Sequence, residues 1–142
     1  MPANARPRLI FHGAIVLLGG LLSGLPTVIE ASAGSLRHWH TAHEALIMMG
    51  IWMLAMSSVL PALVLEGRKA AALVWSLLAM GYGFLVALVV GGIIGVSPFE
   101  PGGTAVSLAA HLAADVGILG AVLATVLTAM GARATLKAGH SG

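Results

Sequence analysis

The chain has 142 residues, of which 58% are hydrophobic and 8% charged, with a mean hydropathy of +1.00. A soluble domain carries roughly 25% charged residues, so a water-soluble globular domain is excluded and lipid is the solvent for most of the chain. The absence of cysteine excludes disulfides and thiolate metal sites. Seven Lys+Arg stand against five Asp+Glu without basic clusters or interleaved aromatics, which excludes a nucleic-acid footprint.

The N-terminus through Arg8 is short and basic. The apolar run that follows, 9–29, is longer than the ~7–15 residues of a signal-peptide core and has no clear small-residue cleavage site before Glu30. It reads as a membrane helix that is retained. Three further segments, 45–65, 70–96 and 105–130, are long enough to cross a hydrocarbon core, which takes about 20 apolar residues. Backbone groups in lipid must be satisfied within the segment, and the alternation of a barrel strand is missing. The chain is therefore predicted to be all-α: one membrane domain over 1–142, a bundle of four transmembrane helices.

Polar or helix-breaking residues join the spans. Glu30 to Thr41 is expected to link the first two. Glu66-Gly67-Arg68-Lys69 links the next pair so tightly that they must run antiparallel. Ser97-Pro98-Phe99-Glu100-Pro101-Gly102-Gly103-Thr104 ends the third span before the fourth begins. Pro26 and Pro61 fall inside spans, where neighbouring helices tolerate a kink. Four spans put Arg6, Arg8, Arg68, Lys69, Arg133 and Lys137 at one face and Arg37 alone at the other. By the positive-inside rule both termini are cytoplasmic, as in a multi-pass bacterial inner-membrane protein. Gly20 with Gly24 and Gly91 with Gly95 repeat at the spacing that lets membrane helices approach closely.

Ionisable residues inside spans are costly and are functional candidates. His12 lies near the start of the first span and His43 and Glu44 open the second. His111 and Asp115 share one face of the fourth, four residues apart. His43, His111 and Asp115 are all expected in the outer half of the membrane, where they could form one site or simply satisfy one another. Three of the six histidines fall in Arg37-His38-Trp39-His40-Thr41-Ala42-His43-Glu44. His38 and His40 are two apart and cannot face each other on a helix, and no carboxylate or cysteine completes a zinc signature. With Trp39 they suit a water–lipid boundary. His43 is deeper. A single histidine on an apolar helix, with Gly50 beyond it, suits either a b-type haem or a hydrogen-bonded structural role. Met48, Met49, Met53 and Met56 read as adaptable packing. Tyr82, the one tyrosine, must find a partner for its hydroxyl, as a helix–helix tie or as a proton donor.

Taken together these residues resemble the styrene oxide isomerase family, small four-helix membrane proteins. The likeness rests on His12-Gly13 after a basic N-terminus, on Trp39-His40-Thr41-Ala42-His43 continuing to Gly50 and Val59-Leu60-Pro61, and on Ser97-Pro98. The resemblance implies a homotrimer that binds haem b between adjacent protomers, with His43 as the axial ligand and Gly50 beside the cofactor. It implies a lipophilic epoxide as substrate and an aldehyde as product, with ferric iron acting as a Lewis acid and no net redox change. Arg37, His38 and His40 would meet the haem propionates. The sequence departs from the family where an asparagine that positions the epoxide is replaced by Met49. A family tyrosine in the third span also has no counterpart in register: Gly91 or a neighbour takes its place, leaving Tyr82 as the candidate catalytic hydroxyl. Methionine at 49 admits a further possibility, ligation of a neighbouring protomer's iron. Two other classes stay open: a non-enzymatic membrane haem protein for electron transfer or gas sensing, and a cofactor-free structural or transport bundle. The lack of repeats or broken-helix pairs speaks against transport.

Overall fold

A computed structural model describes residues 4–29 and 33–139. Its described residues are helical apart from short connections. They form α1 (Ala5–Ser23), a short α2 (Leu25–Ile29), α3 (Ala33–Val59), α4 (Gly67–Ile94) and α5 (Ala105–Gly139). Four stretches, Ala5–Ile29, Leu36–Ala62, Gly67–Ile94 and Ala105–Ala138, are long and apolar enough to cross a membrane. The all-α expectation holds, and the architecture is that of a multi-pass membrane protein.

The helix ends follow local chemistry. α1 breaks at Gly24, whose N–H donates to the carbonyl of Leu21 at 3.1 Å, and the chain resumes as α2 with Pro26 in its first turn. Pro61 does not kink α3 as expected; it sits in a 3-10 turn, Leu60–Ala62, that ends it. A proline in an α-helix removes one backbone donor and crowds the carbonyl four residues back, and here the chain gives way. α4 closes on Gly95 at φ +66°, a left-handed position that glycine adopts without steric cost.

α3 begins well upstream of the apolar segment. Arg37, His38, His40 and Thr41 are helical, not part of a loop; residues 30–32, where the expected connection starts, lie outside the described residues. Nothing between Leu36 and Glu44 breaks a helix, so polarity there marks the edge of the apolar region rather than the end of the helix.

α1 packs along α3, and α4 packs most extensively along α5. α3 and α1 also meet α4, which makes α4 the central helix. Its most apolar window is 56% buried, against 28–33% for the other three. α5 rests chiefly on α4 and leaves Leu112, Val116, Leu119 and Val122 exposed. A face of that kind is stable only against lipid or another protein. Leu9, Val16, Leu46, Met53, Leu73, Leu77 and Met80 fill the interior.

Glycines set the helix spacing. A Cβ on Gly20 would lie 2.7 Å from the backbone nitrogen of Ile47, and one on Gly50 would lie 2.7 Å from Cα of Leu17. On the other side, a Cβ on Gly83 would meet Gly117 and Ala113, and one on Gly120 would meet Met80. Backbones in contact gain packing energy that hydrophobicity does not supply in lipid. At the end of the bundle that carries every Lys and Arg but Arg37, Thr135 donates to the Ala62 carbonyl at 2.9 Å and accepts from Val64 N–H at 3.2 Å. Arg8 sits 5.0 Å over the ring of Trp75.

Candidate haem-ligand site at the α1–α3 seam

His43 is half-buried on α3 and turned towards α1. Its Nδ1 lies 2.8 Å from the carbonyl oxygen of Gly20. A carbonyl only accepts, so Nδ1 carries the proton and Nε2 keeps its lone pair. The imidazole lies against Gly24, where a Cβ would be 2.8 Å from Nδ1 and 2.9 Å from Cε1. The Gly20–Gly24 pair thus lets α1 approach and leaves room for the ring. Among the described residues, no buried side-chain nitrogen or oxygen lacks a hydrogen-bond partner. Because the bond of His43 is made through Nδ1, its Nε2 reaches the protomer surface. The 3.6-residue repeat puts exposed His40, Glu44 and Ile51 on that same outer flank of α3.

That chemistry would suit a histidine that ligates a metal. Metal-binding histidines typically donate their second ring N–H to a carbonyl or carboxylate, which fixes the tautomer and raises ligand basicity. Among the described residues, no cluster of three or more His, Cys, Asp or Glu is placed to hold a bare metal ion.

The other expected residues are distributed elsewhere. Gly50 is buried at the α1 contact, against Leu17. Met49 lies six residues past His43, a rotation of about 240°, and so faces away from the α1 seam. It lines a cavity of 340 Å³ between α3, α4 and α5, with Ala45, Met48, Trp52, Met80, Phe84 and Ala121. The methionine run divides accordingly: Met53 and Met56 are core, while Met48 is 66% exposed at the cleft. Tyr82 hydroxyl lies 2.7 Å from Nδ1 of His12, with the rings edge-to-face at 5.6 Å between centroids. This pair ties α4 to α1. His12 is eight residues from Gly20, about 12 Å along α1 at 1.5 Å per residue.

His111 donates from Nδ1 to the Pro98 carbonyl at 3.1 Å. Its Nε2 is 3.8 Å from Oδ2 of Asp115, beyond hydrogen-bond range. Both sit on α5, which has no extensive packing with α1 or α3, so one protomer does not gather them with His43. Arg37 and His38 line a separate cavity against the α4–α5 connection. Nothing in the residue pattern pointed to the Gly20 carbonyl as partner of His43. Its one trace is the Gly20–Gly24 spacing, legible as packing but not as a ring's seat.

The fold and seam define a small multi-pass membrane protein in which His43, anchored on a backbone carbonyl, presents a free ring nitrogen at the surface. The chain belongs to the styrene oxide isomerase family, whose profile matches residues 5–136, nearly its whole length. That membership implies epoxide isomerase activity. Searches of curated proteins and of solved structures return no match.

Proposed function

We propose that this protein is a haem-b isomerase converting a lipophilic epoxide of the styrene oxide type to an aldehyde. The observation that carries the reading is the 2.8 Å bond from His43 Nδ1–H to the Gly20 carbonyl, which turns Nε2 outward as a free acceptor. Ferric haem b, when bound, supplies a Lewis acid for the epoxide oxygen.

The chain's own residues do the rest. His43 offers Nε2 in a tautomer fixed by the Gly20 carbonyl. The cleft of Ala45, Met48, Met49, Trp52, Met80 and Phe84 takes the apolar body of the substrate. Its walls exclude water, which would otherwise trap the carbocation that develops beside the aryl ring when the C–O bond opens. Trp52 and Phe84 present aromatic rings in that cleft, and such faces attract positive charge. A 1,2-hydride shift then completes the aldehyde, with no atom gained or lost.

His43 and the Met49 cleft occupy different flanks of α3. A cyclic homotrimer reconciles them, because a head-to-tail interface joins two different surfaces of neighbouring copies. In this reading the His43 flank of one protomer meets the Met49 cleft of the next. His40, one turn before His43 on the exposed flank, is the candidate for a propionate contact; Arg37 turns instead into the separate cavity against the α4–α5 connection. The basic end of the bundle faces the cytoplasm, with both termini on that side of the inner membrane.

The test is the absorption spectrum of detergent-purified protein with and without His43→Ala, followed by incubation with styrene oxide and no reductant. A haem band lost in the variant, and phenylacetaldehyde formed by the wild type, support the reading. A colourless, folded wild type expressed with adequate haem refutes it.

Met49 favours a second reading. A thioether ligand from a neighbouring protomer would close the sixth position and suit electron transfer rather than Lewis-acid chemistry. Binding of cyanide or imidazole to the ferric protein separates the two, since an open position takes the ligand readily.

A further inference from the structure

A second cavity, of 310 Å³, lies at the opposite end of the bundle from the basic termini. Arg37, His38 and Thr41 of α3 form one wall and Ser97, Pro98, Phe99 and Glu100 of the α4–α5 connection form the other, over Leu88, Gly91 and Gly92 of α4. The cavity is therefore polar at its rim and apolar at its floor. Gly92 is covered by the ring of Trp39, 2.9 Å from where a Cβ would be, and Phe99 packs on Phe84 with centroids 6.4 Å apart. These aromatics and the start of the apolar stretch at Leu36 mark the level of a bilayer's headgroups.

The charges in this cavity are opposite and do not pair. The ion pairs among the described residues are Lys69 with Glu66 and His111 with Asp115; Arg37 and Glu100 are not joined to each other or to another described charge. A guanidinium is suited to phosphate through its planar fork, and a carboxylate is suited to an ammonium. One cavity holding both, with a lipid-level floor, matches a ligand that carries both charges.

We propose that this cavity binds a phosphate–ammonium zwitterion, the headgroup of a phosphatidylethanolamine-type lipid. The phosphate sits at Arg37 and the ammonium at Glu100, while the lipid's glycerol end lies towards Leu88 and Phe99. The site is distinct from the His43 seam: Arg37 lies six residues before His43, on another flank of α3. It does not rest on the haem reading.

The test uses purified full-length protein in detergent, delipidated and then titrated with phosphatidylethanolamine, phosphatidylglycerol or phosphatidylcholine, with bound lipid counted by native mass spectrometry. Phosphatidylethanolamine is expected to bind about tenfold more tightly than the other two, one charge-assisted contact being enough for that factor. Arg37→Gln lowers its affinity about tenfold. Glu100→Gln reverses the preference, because the anionic glycerol headgroup then meets a cation with no carboxylate to repel it. Both residues are exposed, so the fold is expected to survive, and circular dichroism checks this. Free phosphoethanolamine is the second arm: competition by it at millimolar concentration supports the same zwitterion chemistry from a soluble source. Equal binding of the three lipids in wild type and variants overturns the proposal. So does loss of the haem band in Arg37→Gln with lipid preference unchanged, which would assign the cavity to the cofactor's edge.

Discussion

His43 and His111 are wired alike at one nitrogen and differently at the other. Each donates from Nδ1 to a carbonyl outside its own helix, Gly20 at 2.8 Å and Pro98 at 3.1 Å. Beyond that they part. The Nε2 of His43 has no partner and reaches the surface. The Nε2 of His111 faces Asp115 at 3.8 Å. The lesson concerns how a histidine becomes a ligand: a backbone anchor orients the ring, but the second nitrogen must also be left open and accessible. A carboxylate one turn away stands on the side of that nitrogen in His111 and leaves it less open to a metal.

The largest expected effect breaks the comparison outright. His43→Ala removes the haem band and abolishes isomerisation, while His111→Ala leaves the band in place. If His111→Ala alone bleaches the protein, the assignment is reversed, and absorption at fixed protein concentration decides it.

A smaller effect comes from the anchor. Gly24→Ala puts a methyl group 2.8 Å from His43 Nδ1, which pushes the ring off the Gly20 carbonyl. Loss of such a supporting contact typically costs about 10- to 100-fold in metal affinity. Haem titration of the apoprotein measures it. Unchanged affinity would mean that the ring swings without consequence and that the carbonyl is incidental. Gly83→Ala, at the equivalent close contact of α4 with α5, is expected to destabilise the fold, with a Cβ 2.6 Å from Gly117 nitrogen, but not to change haem affinity in the protein that remains folded.

How much of this was legible in the sequence differs between the two histidines. Four spans, the two later connections and the family likeness around His43 followed from apolar length, breakers and the 39–61 motif. The pairing of His111 with Asp115 followed from the four-residue repeat. The anchoring carbonyls did not, because a backbone acceptor has no residue identity to read. Nor did the start of α3: hydropathy reports where lipid begins, and a helix rich in Arg, His and Glu runs past that point. The shared site that depth allowed for His43, His111 and Asp115 does not form within one protomer, for a topological reason. Depth in the membrane placed them together, but α5 packs on α4, whereas His43 faces α1.

Met49 sharpens the comparison from the substrate side. The cleft it lines offers no charged or hydroxyl side chain among Ala45, Met48, Met49, Trp52, Met80, Phe84 and Ala121. Met49→Asn places an amide where the resemblance to the family led us to expect one. A hydrogen bond to the epoxide oxygen is worth about 0.5–1.5 kcal/mol, so kcat/KM for styrene oxide is expected to rise roughly two- to tenfold. A fall in kcat/KM with unchanged haem affinity would show instead that thioether packing shapes the cleft for a different epoxide.

His12 completes the set as a third kind of wiring and gives the smallest effect. Its Nδ1 meets the Tyr82 hydroxyl at 2.7 Å, and a hydroxyl both donates and accepts, so this bond fixes no tautomer. It joins helices without preparing a ligand. Tyr82→Phe therefore removes one interhelical bond, and in membrane proteins such bonds average about 0.6 kcal/mol. The expected result is a slightly lower melting temperature, unchanged haem affinity and turnover within about twofold, since the hydroxyl is held by α1 rather than by the Met49 cleft. A double-mutant cycle with His12→Phe isolates the pair: coupling near that value assigns Tyr82 to the α1–α4 tie. A tenfold loss of turnover in Tyr82→Phe, with stability and coupling unaffected, would put the hydroxyl at the reacting atoms, and His12 would then be its positioning residue rather than its only partner.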